Sequence, residues 1–259
     1  MTPLSFLGRA LSVLSLLAVT VGLDATSADA RDLGRTCRHP EFVTSGWEGH
    51  SFGRYYADSD MWNAHGYDVS QRMRVCAPGN WSVTATADNR SGDGAVKTYP
   101  NVHRDYHDWG TGHEPRLRSF ASISSRFASR SPQVGIYDGA YDIWLNGVAD
   151  SGSTELMIWT DNHRQVPAGR MVERRLHFSH RTWTLWATDD HHYLALVPGR
   201  PLGHGTIALK KRFAYLVSHA YLARGSTLGQ VCFGYEIVST NATSQRFKID
   251  RFKVTSTRK

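Results

Sequence analysis

From residue 81 to residue 254 the chain is a succession of short runs in which apolar and polar residues alternate, separated by glycine, proline, asparagine, aspartate and serine. The clearest are 81–87, 119–127, 141–145, 155–159, 182–187, 193–197 and 246–254. A period of two places one face of a strand on a core and the other outside. Many short strands with turn signals between them restrict the chain to an all-β sandwich or barrel. Only one stretch has a helical period: Phe213, Leu216, Val217, Ala220 and Tyr221 recur at i, i+3, i+4, i+7 and i+8, and Gly225 is placed to end it. The 259 residues, 41% of them hydrophobic, suffice for one large all-β domain or two small ones. With no internal repeat, low-complexity linker or appended module, a single domain over residues 31–259 is expected.

The first thirty residues read as an export signal. A short basic region ends at Arg9, an apolar stretch follows over residues 10–23, and Ala28-Asp29-Ala30 supplies a small-residue cleavage site. The apolar stretch is too short for an ordinary membrane span, and no other segment approaches the roughly 20 apolar residues a span requires. The expected product is a secreted, extracellular protein beginning at Arg31, with no membrane attachment after cleavage. The full chain carries a net charge of +7; loss of Arg9, Asp24 and Asp29 leaves 29 Lys and Arg against 21 Asp and Glu, or +8. The basic residues are scattered and no nucleic-acid motif accompanies them, so this charge reads as the solvated surface of an exported monomer. Three cysteines fit an oxidising destination, and no Cys-x-x-Cys pattern suggests zinc.

Two strand runs contain a carboxylate where a solvated sheet gives no reason for one. In Thr154-Glu155-Leu156-Met157-Ile158-Trp159, alternation places Glu155, Met157 and Trp159 on one face and Leu156 and Ile158 on the other. The second face is core. The first, with an acid, a thioether and an indole, suits the floor of a sugar-binding groove. In Phe233-Gly234-Tyr235-Glu236-Ile237-Val238, Glu236 lies on the face opposite Phe233, Tyr235 and Ile237. Two acids on the groove faces of two strands form a glycosidase pair.

These strings resemble glycoside hydrolase family 12, whose members hydrolyse β-1,4-glucans with two glutamates on a curved sheet. Tyr141-Asp142-Ile143-Trp144-Leu145 is similar to the family's strand preceding the nucleophile, and Val96-Lys97-Thr98-Tyr99-Pro100-Asn101 to its Val-Lys-Ser-Tyr-Pro-Asn segment. Ser59-Asp60-Met61-Trp62-Asn63 resembles its Asn-Asn-x-Trp strand. The resemblance runs from about Trp47 to about Val254 in matching order. It implies two stacked antiparallel sheets in a jelly roll, one amphipathic helix, a concave substrate groove and no cofactor or metal. By residue-for-residue carry-over, Glu155 is the nucleophile and Glu236 the general acid/base of a retaining double displacement, with Asp142 sharing a proton with Glu155. Trp62 stacks on a sugar ring and Met157 packs beneath the cleavage point. Trp159 and Asn101 complete the substrate-binding set. The family often has a disulfide that corresponds to Cys37–Cys76, leaving Cys232 as a buried thiol on the Glu236 face.

Two positions depart from the family pattern. Ser59-Asp60 replaces the paired asparagines before the stacking tryptophan, and Val238 stands where many members have tryptophan two residues after the acid/base. Residues 103–113 are rich in histidine but have no compact metal-ligand spacing, and read as a loop at the groove edge. The expected function is a secreted endo-β-1,4-glucanase acting on a polysaccharide. The alternatives are a xyloglucan-specific endoglucanase, and a weakly active or non-catalytic glycan binder on the same sandwich.

Overall fold

The structure is a computed structural model that describes residues 37–259; the expected signal segment and its cleavage site lie outside the described residues. Two sheets face each other. The smaller has the order β1 (Phe42–Thr44), β4 (Val69–Ala77), β5 (Asn80–Ala87), β15 (Gln245–Arg258), β7 (Phe120–Arg130) and β13 (His204–Ile207). The larger begins with β10 (Arg170–Phe178), β11 (Arg181–Ala187), β12 (Tyr193–Pro198) and β9 (Thr154–His163). It continues through β8 (Ile136–Leu145), β14 (Leu228–Ser239), β6 (Asn101–Asp105), β3 (Tyr55–Asp58) and β2 (Gly49–Phe52). Each alternating run of the sequence falls within a strand, except that Ser119, the first residue of the run 119–127, closes a short 3-10 turn before β7. The two-sheet sandwich matches the expectation, and within it one pair is parallel: β9 and β12, with Glu155 opposite Tyr193 and Met157 opposite Ala195. A parallel pair needs a long crossover, and β10 and β11 lie between these two strands in the chain.

The core fills the space between the sheets. From the smaller sheet come Met73, Val75, Trp81, Val83, Phe127, Phe247 and Phe252; from the larger, Tyr141, Ile143, Leu156, Ile158, Phe233 and Ile237. Phe127 meets Phe233 edge to face at 5.4 Å, and Tyr141 lies 4.5 Å from Phe233. Each such side chain contributes about 1.5–3 kcal/mol on full burial. This packing fixes which face of β8, β9 and β14 looks inward, and therefore which face is left for the cleft.

The helix α1 spans Leu209–Ser218 and buries Leu209, Arg212, Phe213 and Leu216. It starts and stops earlier than the apolar spacing predicts. Ala220 takes a left-handed conformation (φ 59°), and the amides of Tyr221 and Leu222 both donate to the Leu216 carbonyl, so the chain turns before Gly225 is reached. The polar-looking Arg212 belongs to the buried stripe: its guanidinium lies 5.0 Å from the Phe178 ring and 4.9 Å from the Trp183 ring. Cys37 and Cys76 are bonded, joining the segment before β1 to β4, and Cys232 is a buried free thiol.

Candidate active site

The larger sheet curves around a cleft of about 1120 Å³ whose lining includes Glu155, Glu236, Asp142, Asp60, Trp62 and Tyr193. Three adjacent strands build its floor. On β9, Leu156 and Ile158 enter the core while Glu155, Met157 and Trp159 take the other face; on β14, Phe233, Tyr235 and Ile237 enter the core and leave Cys232, Gly234 and Glu236 outward. Between them β8 directs Tyr137, Tyr141, Ile143 and Leu145 inward and turns Asp138, Ala140, Asp142 and Trp144 to the other face, where Asp142 and Trp144 line the cleft. Gly234 allows this arrangement: a Cβ there would stand 2.2 Å from the Pro100 carbonyl oxygen and 2.9 Å from Asn101 Cα. Only glycine lets β6 approach the strand that carries Glu236.

Glu155 and Glu236 are not level in the ladder. Glu155 opposes Trp144 and Glu236 opposes Asp138, near opposite ends of β8. Both nonetheless line the same cleft, and the charge of Glu236 raises the pKa of Glu155. Burial is the larger cause of that shift, and together they push Glu155 up to about 8. Glu236 is also raised by burial, against a hydrogen bond from Asp138 that lowers it. Asp142 opposes Met157, one diagonal step from Glu155. Burial, then Glu155, then Glu236 hold it well above the ordinary carboxylate range, while the Trp144 indole donates to it. Its Oδ1 has no hydrogen-bond partner among the described residues.

The remaining expected residues take distinct places. Trp62 lines the cleft and is 59% exposed, as a stacking platform requires. Met157 lies beneath the floor, packed with Ala140, Trp159 and Ala195, and its Sδ accepts a hydrogen bond from the Tyr193 hydroxyl at 3.3 Å. Trp159 reaches the cleft lining, and its buried indole N–H has no acceptor among the described residues. Asn101 also lines the cleft, but its amide is engaged. Nδ2 donates to Tyr99 O at 2.9 Å and to Asp60 Oδ2 at 3.3 Å, and Oδ1 lies 3.1 Å from His103 Nδ1.

Both departures from the family pattern have a structural outcome. Asp60 adopts φ 41°, and burial, Asp58 and Glu236 raise its carboxyl to about 7, which makes it part of the acidic floor. Val238 is fully buried at a β14 irregularity and is not among the cleft-lining residues. The alternation that placed it beside Glu236 breaks at this irregularity. In the histidine-rich stretch, His103 belongs to β6 and to the cleft lining, His107 pairs with Glu114 at 2.8 Å, and Trp109 reaches the cleft while 65% exposed. Among the described residues, no group of His, Cys, Asp and Glu converges as a metal site.

Sequence reasoning missed Asp138, Trp109, Trp144 and Tyr193. For Asp138 a signal existed. Tyr137-Asp138 repeats as Tyr141-Asp142 four residues on, and in a strand an even spacing puts both aspartates on the same face.

A family profile described as glycosyl hydrolase family 12 matches residues 53–256. Endoglucanase S of Pectobacterium parmentieri is 34% identical over 90 residues, which are 30% of this chain and 34% of that protein. The chain thus aligns with about a third of that relative's length. Among solved structures, the endoglucanase cel12A of Rhodothermus marinus is similar with a TM-score of 0.71 at 23% identity, covering 84% of this chain and 100% of that one. The family 12 xyloglucanase of Bacillus licheniformis gives 0.71 at 20% identity, over 83% and 100%. The xyloglucanase domain of NopAA, a type three effector of Sinorhizobium fredii solved with cellobiose, gives 0.69 at 24%, over 85% and 100%. These three establish the shared fold.

Proposed function

The chain belongs to glycoside hydrolase family 12, and on that premise we propose that it is a secreted, monomeric, retaining endo-β-1,4-glucanase whose catalytic domain spans residues 31–259. The observation that carries this reading is the convergence of Glu155, Glu236 and Asp142 on one cleft floor. A glycan binder has no need of three carboxyls whose burial works against their ionisation.

In the first step Glu155 attacks the anomeric carbon while Glu236 gives its proton to the departing glycosidic oxygen. In the second, Glu236 takes a proton from water, which displaces Glu155 and releases the sugar. Glu155 must be ionised to attack. The positive charge developing on the sugar ring favours that form against the burial that opposes it. Asp142, held neutral by its neighbours, orients the nucleophile without adding a second negative charge. Trp62 offers its exposed face to a sugar ring.

Xyloglucan is a second candidate substrate, favoured by the likeness to the Bacillus licheniformis and Sinorhizobium fredii xyloglucanases. Reducing-sugar release from carboxymethylcellulose, mixed-linkage β-glucan, xyloglucan and xylan tests the reading. Activity on one or more of the three glucans is expected. No release from any of them by folded protein refutes it.

A further inference from the structure

The reaction just described leaves the buried carboxyl of Asp138 without a task. Asp138 directly opposes Glu236 across the β8–β14 ladder and is fully buried. Neither of its oxygens accepts a hydrogen bond from a donor among the described residues. Its neighbour on the other side, Asn162 of β9, is committed elsewhere: its Nδ2 donates to Gln165 O at 2.8 Å, and its Oδ1 accepts from the Gln165 amide at 2.9 Å. What remains is the Glu236 carboxyl: as directly opposed residues of an antiparallel pair, Asp138 and Glu236 project their side chains side by side from the same face of the ladder.

The groups facing this pair come from every surrounding element. Asp60 follows β3, Tyr99 precedes β6, Glu155 and Asp161 stand on β9, Asp142 lies further along β8 and Tyr193 is on β12. All are acids or phenols, and none is a cation. Two adjacent carboxyls in such surroundings cannot both be charged at modest cost, whereas one proton between them makes a charge-assisted hydrogen bond.

We propose that Asp138 is the positioning residue of Glu236: the two carboxyls share one proton across the strand pair, which aims the acid/base into the cleft and lets the pair hold its last proton to higher pH than a lone glutamate holds its own. This rests on Glu236 being the acid/base of the proposed reaction. During glycosylation the shared proton passes to the glycosidic oxygen as its bond to the anomeric carbon breaks. The pair, then without a proton, is a stronger base than a lone carboxylate. Water returns the proton when its oxygen bonds to the anomeric carbon and the ester bond to Glu155 breaks.

The test uses wild type, Asp138→Asn and Glu236→Gln. Carbon-13 NMR of the labelled carboxyls follows titration directly, and the pH dependence of kcat/KM reads its catalytic effect. In wild type the Glu236 and Asp138 carboxyl carbons are expected to titrate in two shared steps. In Asp138→Asn, Glu236 titrates in one, and the basic limb of kcat/KM moves to lower pH; a one-unit move lowers kcat/KM about tenfold at any pH above the limb. A folded Asp138→Asn whose Glu236 titration and basic limb match wild type overturns the proposal. Should Asp138→Asn not fold, the Asp138 carbon in Glu236→Gln decides: a single step supports sharing, and a curve identical to wild type overturns it. Turnover by Glu236→Gln identifies a different failure, that of the acid/base assignment itself, and the proposal then falls with it.

Discussion

Replacing Glu155 with glutamine separates the demands of catalysis from those of stability. Burial and the charge of Glu236 raise the Glu155 carboxyl from 4.5 to about 8. Between those values the folded protein holds a proton that the unfolded chain has released, so stability falls as pH rises through this window. At 1.36 kcal/mol per unit, a shift of about 3.5 units sets an upper bound of about 5 kcal/mol. Water at the cleft mouth screens part of it, and roughly half, about 2–3 kcal/mol, is the working expectation at pH 8. Glutamine keeps the shape of the protonated acid and never ionises. Denaturant unfolding from pH 4 to pH 9 should therefore give curves for wild type and Glu155→Gln that coincide near pH 4 and diverge above it, with the variant the more stable. For a domain of this size that is a gain in Tm on the order of 5–10 °C at pH 8. The same variant should lose nearly all turnover on the best glucan. Parallel stability curves across the whole range would refute the electrostatic reasoning, and more than a few per cent residual activity would remove Glu155 from the nucleophile role.

Three further outcomes test other parts of the site and fold. Proton NMR of a fresh digest should show the β-anomer before mutarotation, and initial α-product would rule out a double displacement. Asp142→Asn should lose far less turnover than Glu155→Gln in kcat measurements, because in the proposed reaction Asp142 orients the nucleophile and forms no bond to sugar; equal losses would give it a direct part in the chemistry. Reducing the Cys37–Cys76 bond, which closes a loop with a sequence separation of 39, should lower unfolding free energy by about 4 kcal/mol in the chain-entropy picture. Non-reduced peptide mapping should recover that pair and a free Cys232.

Much of the site was legible in the chain because strand side chains alternate with a fixed period. Once Leu156 and Ile158 are core, Glu155, Met157 and Trp159 must share the other face; the same holds for Glu236 once Phe233 and Tyr235 are core. That rule is local and follows from backbone geometry, so it needs no knowledge of neighbouring strands. It failed at Val238, where the pairing of β14 with β8 shifts beyond Ile237. The helix likewise announced its apolar stripe but not its end, which Ala220 and the Leu216 carbonyl determine. Which strands become neighbours is settled by contacts between residues far apart in sequence. Only the tertiary structure set β8 between β9 and β14, joined β9 to β12 in parallel and opposed Asp138 to Glu236. The sequence by itself determined which acids face away from the core, because alternation decides that within a single strand. Their grouping on one cleft floor was decided by strand order and register, which depend on how the two apolar faces pack over the whole domain.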